Sequence, residues 1–369
     1  MKSKVKMMTP AFNGDEIQYV ERALQKNEIS ITGENIDELT SLVLDYVKMP
    51  YGQLIANGTA GLHLALKAIG IDDNDLVFCP SMTYCGSAYP IIYERGIPVF
   101  IDSKKDGTMD ENSLLAALEK YKDKLPKAVI IVDTYGAPAD YDKLLPILKE
   151  YNVPAIEDSA ESLGASFNGK KCGTLCDIGV FSFSYSKVVT TSLGGMVLSC
   201  NKDYMEKMSY LSNQAKAKSP YYIHKEVGYN YSMSNVLAGI GIPGMKNIEN
   251  HLKRKQEIFD IYKKGFEDVP FISLTGDKDG SNHWQNGIII NNPDIDAAFV
   301  LNKLIENNID ARAGFNPMHR QEAFANFDFV SANNDTATEL FRKTVLLPSG
   351  VGMTQKEQQY VIETVKKYI

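Results

Sequence analysis

The sequence predicts an α/β protein, with a large domain on a mostly parallel central sheet and a small C-terminal α+β domain after it. Three observations carry that prediction. Short apolar runs rich in Val, Ile and Phe recur through the first two-thirds of the chain, as strands covered on both faces require. Helical patterns separate them, as crossover connections over a parallel sheet do. The length of 369 residues suits two domains at roughly 100–200 residues each.

The elements follow in order. After Asn57-Gly58-Thr59-Ala60, the stripe Leu62, Leu66, Ile69 has the i, i+4, i+7 spacing of an amphipathic helix. Strands are expected over residues 76–79, 97–101, 128–132, 153–156, 179–183 and 196–199, with helices over 113–121 and 141–151. Residues 245–266 read as one long helix whose HLKRK cluster forms a solvated face. Strand candidates at 271–274 and 286–290 follow, then a helix carrying Val300, Leu304 and Ile305. The last helix opens on Thr354-Gln-Lys-Glu357, a capping-box spacing, and turns Val361 and Val365 inward. The domain boundary is placed at 245/246, giving a large domain of residues 1–245 and a small one of 246–369.

Composition narrows the function classes. A hydrophobic fraction of 44% and a charged fraction of 23% are those of a globular chain. With 39 Lys+Arg against 46 Asp+Glu, the net charge of −7 argues against a nucleic-acid binder, which needs surplus cations to displace counterions. No run approaches the roughly 18–20 apolar residues of a membrane span. The start, MKSKVKMMTPAFNGDE, lacks the apolar core of a signal peptide. Cys79, Cys85, Cys172, Cys176 and Cys200 form no disulfide framework, and the Cys172/Cys176 pair has no matching Cys/His partner, so no metal is expected. A cytoplasmic protein with reduced thiols is the expectation.

Ligands of open α/β sheets bind at the carboxyl ends of the strands, and three such places carry reactive residues. Asn57-Gly58-Thr59-Ala60-Gly61 opens a helix, where small residues and the Thr59 hydroxyl suit an anion or simply a cap. It is neither GxGxxG nor a Walker loop. Glu157, Asp158 and Glu161 cluster at the end of PAIED, where a buried carboxylate needs a cation; the alternative is one side chain capping the next helix and another in solvent. Lys187 leaves the apolar run FSFSYSK, and burial there would lower its pKa and free a nucleophilic amine; a snorkelling surface lysine is the alternative. Together the three supply what pyridoxal 5′-phosphate requires: an anion site, a carboxylate for the ring nitrogen and a Schiff-base lysine. Tyr84, after another strand end, could cover the ring.

The ordered segments NGTAGLHLALKAIGI, CPSMTYCGSAYPI, GIPVFID, DTYGAPAD, AIEDSAESLGASFNGKKCGT, DIGVFSFSYSKVVTTSLGGM, EVGYNYSMSNVLAGIG and LLPSGVGMT resemble the sugar-nucleotide aminotransferases of the DegT/DnrJ type. These are a branch of the aspartate aminotransferase-like, fold-type I enzymes. The resemblance implies that Lys187 holds the cofactor and later moves a proton, and that Asp158 pairs with the pyridine nitrogen. It places Glu161 on the ring-hydroxyl side, Thr59, Ala60 and Ser182 at the phosphate, and Tyr84 against the ring. Asn230 would reach the phosphate of a neighbouring subunit, which implies a homodimer with shared sites, and His319 would approach the sugar nucleotide unless it is an ordinary loop histidine. EDSAES, KVVTTSLGGM, QAKA, GYNYSMSN and LPSG are most similar to members that aminate C4 of a UDP-linked 4-keto-6-deoxy-N-acetyl amino sugar, with glutamate as donor, in bacterial glycan, capsule or lipopolysaccharide synthesis.

The chain departs from the family pattern at Ser232, where Arg is usual, at Ile242-Pro243-Gly244, and at Tyr185-Ser186 before the lysine. Pro243 is expected to bend or end a helix. Other substrates suit the same scaffold: a GDP-linked precursor of perosamine, or dTDP-linked 3- or 4-keto sugars. Sugar 3-dehydratases of the superfamily carry histidine where Lys187 stands, so transamination is favoured over that chemistry or over cofactor binding without turnover. Ser184-Tyr-Ser-Lys187 spells the S-x-x-K of serine acyl hydrolases, but neither an S-D-N nor a K-T-G partner accompanies it.

Overall fold

Five of the expected strands lie side by side and parallel at the heart of one sheet in the computed structural model, which describes residues 4–369. Two helices, α1 (Glu16–Gln25) and α2 (Glu34–Val47), precede β1 (Tyr51–Ile55). The alternation then runs α3 (Gly58–Ile69), β2 (Leu76–Pro80), α4 (Cys85–Tyr93), β3 (Ile97–Ile101), α5 (Glu111–Lys120), β4 (Ala128–Val132), α6 (Tyr141–Glu150) and β5 (Ala155–Asp158). A small hairpin, β6 (Ser166–Phe167) and β7 (Lys170–Lys171), leads to β8 (Ile178–Ser182), β9 (Gly195–Ser199), α7 (Lys202–Ser212) and α8 (Asn235–Lys246). The remainder comprises α9 (Ile248–Gly265), β10 (Ile272–Leu274), β11 (Gly287–Ile290), α10 (Ala297–Glu306), β12 (Arg312–Ala313), β13 (Phe329–Val330), α11 (Thr336–Lys343), β14 (Thr344–Leu346) and α12 (Gln355–Tyr368).

The large sheet has the order β1-β9-β8-β5-β4-β2-β3-β13, and only β9 runs against the others. β2, β4, β5, β8 and β9 are buried at every position, which is why they appear as unbroken apolar runs rather than alternating ones. β9 is antiparallel because β8 returns through a loop with no crossover helix, and a parallel neighbour would need one. That loop carries Lys187. Gly195 closes it where β9 presses against both flanking strands: a Cβ there would lie 2.6 Å from the Phe181 carbonyl oxygen.

The second sheet, β10-β11-β14-β12, is antiparallel. α9, α10 and α12 cover it through Ile258, Tyr262, Val300, Leu304, Val361 and Val365. Thr354 and Glu357 form the expected capping box.

Two sequence expectations change, the single helix over 245–266 and the solvated HLKRK face. The helix read over 245–266 is two helices broken at Asn247, and α8 continues through Pro243 for three residues before that break. The HLKRK cluster is not wholly solvated, since His251 and Lys255 are buried. Ile305 faces outward at 52% exposure. β13, from the C-terminal third, pairs with β3 and covers what would be an open sheet edge, while Val5 N–H donates to the Asn308 carbonyl at 2.9 Å. The chain therefore crosses the 245/246 line in both directions. Among the described residues, no helix is long and apolar enough to cross a membrane.

Candidate active site

The carboxyl ends of β1, β2, β4, β5 and β8 open on one side of the large sheet. β1 and β8 both end opposite Gly195, which brings the start of α3 against Ser182: a Cβ on Gly58 would lie 3.2 Å from that of Ser182. Asn57 caps α3, its side chain accepting from Ala60 N–H at 2.8 Å. The Ala60 N–H is thus already engaged. The donors left for an anion are the N–H groups of Gly58 and Thr59, which as first-turn donors have no partner among the described residues, and the hydroxyls of Thr59 and Ser182. Gly86 lets α4 approach the same place, since a Cβ there would meet Thr59 Oγ1 at 2.9 Å and the Tyr84 ring at 3.3 Å. Tyr84 itself is 63% exposed, its ring 6.5 Å from that of Phe315.

Asp158 ends β5 at 4% exposure. The reading with one of these side chains in solvent does not hold: the carboxylates of Glu157 and Asp158 are both buried. Asp158 accepts from Ser87 Oγ at 2.7 Å and from Ala160 N–H at 3.2 Å, and Thr83 steadies Ser87 at 2.7 Å. Burial pushes its pKa up; the two hydrogen bonds and the more distant Lys187 act against that. Among the described residues no cation lies within ion-pair distance of it.

Lys187 projects from the β8–β9 loop to a point 3.8 Å from Glu161 Oε1 and 3.7 Å from the Trp284 ring centroid. Burial lowers its pKa, opposed by Glu161 and Asp158. Glu161 accepts from Tyr135 N–H at 2.7 Å, and burial raises it to about 7. Tyr135 sits at φ +58°, rare for an aromatic residue and sustained only by surroundings that fix it. Its hydroxyl accepts from Phe315 N–H at 2.8 Å, and the two rings stack at 4.9 Å.

Sequence reasoning missed Ser87, Tyr135, Lys255, Asn282 and Trp284. Trp284 donates from its indole to the Ser186 carbonyl at 2.8 Å. Its own N–H donates to Asn282 Oδ1 at 2.8 Å, and Asn282 Nδ2 donates to the Glu161 carbonyl at 2.9 Å. Lys255 donates to the Trp284 and Ser349 carbonyls at 2.8 and 2.6 Å, and burial lowers its pKa to about 7. One signal was available: residues 251, 255, 258 and 262 share a helical face, so Lys255 lies on the stripe that Ile258 and Tyr262 bury.

Two other predicted residues stand apart from this cluster. Asn230 is exposed and bridges to Asn213. Its neighbours Tyr229 and Tyr231 stack at 5.0 Å and are tied to Glu94 at 2.9 Å and His63 at 3.1 Å. His319 is held by Ser81 Oγ at 2.6 Å, Asp335 at 3.4 Å and the face of Phe329 at 3.9 Å. Ser232 pairs with Ile55. Behind β5, Cys172 gathers with Asp133 and Glu157. The carboxylates there are already bonded: Asp133 accepts from Tyr141, Ser162 and Ala139 N–H, and Glu157 from Ser159, Gly173 N–H and Leu175 N–H.

A buried carboxylate lacking a cation, a lysine amine one loop away and a helix start beside a serine fit a pyridoxal phosphate, whose protonated ring nitrogen, aldehyde and phosphate would need partners of those three kinds. The fold and site define a pyridoxal phosphate-dependent aminotransferase of the aspartate aminotransferase-like class. Residues 10–366 match the DegT/DnrJ/EryC1/StrS aminotransferase family, and the chain belongs to it.

The chain is 36% identical over 99% of its length, and 96% of the relative's, to EpsN of Bacillus subtilis (strain 168), provisionally named a pyridoxal phosphate-dependent aminotransferase. It is 30% identical to the GDP-perosamine synthase of Escherichia coli O157:H7 over 97% of both chains. It is 32% identical to the UDP-4-amino-4,6-dideoxy-N-acetyl-beta-L-altrosamine transaminase of Campylobacter jejuni (strain 81-176), over 72% of this chain and 70% of that one. The crystal structure of the aminotransferase TlmJ from Streptoalloteichus hindustanus shares the fold at a TM-score of 0.91 and 21% identity, covering 99% and 98% of the two chains.

Proposed function

We propose that the protein transfers an amino group from glutamate to C4 of a UDP-linked 4-keto-6-deoxy-N-acetyl amino sugar, for bacterial glycan, capsule or lipopolysaccharide synthesis. The observation that carries the aminotransfer is the convergence of Lys187, Glu161 and Asp158 beyond the carboxyl ends of the neighbouring strands β5 and β8. The bound cofactor supplies an aldehyde that takes up the donor's amine and a ring that draws electrons from the bond being broken.

The chain's own residues do the rest. Lys187 Nζ carries the cofactor and, once free, moves the proton at the substrate carbon. Asp158 keeps a proton on the ring nitrogen, a charge interaction that the dry surroundings strengthen. Glu161 faces the ring hydroxyl, Tyr84 covers the ring, and Thr59 with Ser182 and the α3 start hold the phosphate. Ala60 shapes that start, its N–H remaining with Asn57. The exposure of Asn230 suits a residue that completes the site of a second subunit in a homodimer, and His319 lies toward the sugar nucleotide. The five cysteines are free thiols, which suits a cytoplasmic protein.

The UDP reading is supported by the shared motifs and the Campylobacter relative. A GDP-linked 4-keto-6-deoxymannose is the second reading, favoured by the fuller coverage of the perosamine relative. A panel of UDP-, GDP- and dTDP-linked keto sugars with glutamate, read by product mass, decides. Amination of the UDP sugar is expected. Amination of the GDP or dTDP sugar alone overturns the nucleotide assignment, and none with any donor pair overturns the aminotransfer.

A further inference from the structure

Trp284 enters the site from a segment 98 residues along the chain from Ser186, whose carbonyl it holds. The sequence has one tryptophan, and its indole face lies under the Lys187 ammonium at 3.7 Å while Glu161 Oε1 lies 3.8 Å from the same nitrogen. We propose that the Trp284 face is a dock for the free ε-ammonium of Lys187, making Trp284 a positioning residue, with Lys255 and Asn282 as the struts that hold it. The inference rests on Lys187 being the cofactor-bearing lysine.

The geometry explains the need. A lysine released from the cofactor has four flexible carbons and could swing into solvent, yet it must return to the same carbon. Trp284 restrains it twice, through the ring under the ammonium and through the indole N–H on the carbonyl of the preceding residue. The backbone that carries the ring is held by Asn282 Oδ1, which accepts from the Trp284 amide N–H, and by Lys255 Nζ, which donates to the Trp284 carbonyl. Asp158 from β5, Glu161 from the loop after it, and Lys255 from α9 are the other charges that act on Lys187 or stand behind the ring. The first two favour its ammonium. Lys255 and burial oppose it. An aromatic face in a desolvated setting favours the ammonium by roughly tenfold or more in the protonation equilibrium.

The test uses the full chain freed of cofactor, as wild type, Trp284→Leu and Trp284→Phe. Competitive acetylation with acetic anhydride across pH, read by peptide mass, gives the Lys187 pKa directly. Trp284→Leu should lower it by about one unit, a tenfold gain in the unprotonated fraction below the pKa. Trp284→Phe, which keeps a face but loses the Ser186 bond, should lower it less. An unchanged or higher value in Trp284→Leu overturns the dock. If that variant does not fold by circular dichroism, Trp284→Phe decides alone, and a pKa unchanged in it overturns the dock. Borohydride reduction of the wild-type holoenzyme separately reports which lysine bears the cofactor. A modified peptide other than that of Lys187 overturns the assignment of the lysine, whatever the acetylation arm shows.

Discussion

Replacing Asp158 by Asn should stabilise the cofactor-free protein while disabling the enzyme. Asp158 is 4% exposed and, among the described residues, has no cation within ion-pair distance. Burying such an anion costs several kcal/mol, and two hydrogen bonds to it offset only part of that; an incompletely satisfied buried group costs about 1–3 kcal/mol. The amide fits the same hole. Ser87 can turn to accept from the new NH2 group while donating to Thr83, with which it already shares a hydrogen, and the amide oxygen still accepts from Ala160.

Unfolding entropy of about 2.1 cal/mol/K per residue gives ~0.8 kcal/mol/K for a chain of this length, so Tm should rise by about 1–4 °C near neutral pH. The sign follows from burial, which raises the folded pKa above the ordinary value of 3.8. The folded form then binds more protons than the unfolded one, and wild-type stability falls as pH climbs from 3.8 through the folded pKa. The advantage of Asn is therefore full above that pKa and vanishes below 3.8.

With cofactor added the order should reverse, because only the wild type gains the full linkage RT ln(1 + [L]/Kd). Turnover should fall by two or more orders of magnitude, about 3 kcal/mol or above. Differential scanning fluorimetry of both forms against pH, with steady-state rates, makes the check. A cofactor-free variant less stable than wild type at pH 7–8, or an unchanged rate, refutes the assignment.

Two further outcomes are expected. Lys187→Ala should lose both the visible absorbance of the lysine-bound cofactor and all transamination, and a variant turning over at the wild-type rate would end the assignment. Burial raises the Glu161 carboxyl to about 7, and in the proposed placement its protonated form would donate to the ring oxygen while its anion would repel it. Glu161→Gln, a permanent donor, should therefore gain on the wild type by up to about tenfold per pH unit above 7, measured as the ratio of their kcat values; a ratio flat from pH 6 to 9 contradicts the placement.

The parallel core was legible because residues that pack on both faces must be apolar throughout, and β3 and β4 are found at the expected bounds. β1 was not, because Tyr51, Gly52 and Gln53 interrupt its apolar run. β13 is two residues long and has no pattern of its own. Asp158, at a strand end, and Lys187, in the loop after β8, stood out because a polar group closely following a buried apolar strand is costly unless something meets it. Trp284, Asn282 and Tyr135 carried no such mark. Their neighbours in the site come from distant segments, and the positive φ of Tyr135 has no local signature, since neither Gly nor Asn occupies the position. Lys255 was misread for a different reason: a charged cluster suggested solvent, while the helical period already placed that residue among buried ones.

The electrostatics of the site make sense only with a ligand of a particular kind. Burial drives Asp158 and Glu161 up and Lys187 and Lys255 down, so all four are pressed toward their neutral forms. A cluster arranged for stability would pair two acids with two bases. Here only Glu161 and Lys187 approach each other; Asp158 meets a hydroxyl and an N–H, and Lys255 meets two carbonyls. The α3 start adds N–H groups and a dipole that favour an anion. One molecule bearing both a protonated ring nitrogen and a phosphate answers the Asp158 charge and the α3 dipole at once. Stability of the bare chain and affinity for the cofactor should therefore move in opposite directions when Asp158 is neutralised. Removing the Thr59 or Ser182 hydroxyl should weaken affinity alone, because neither group is a buried charge.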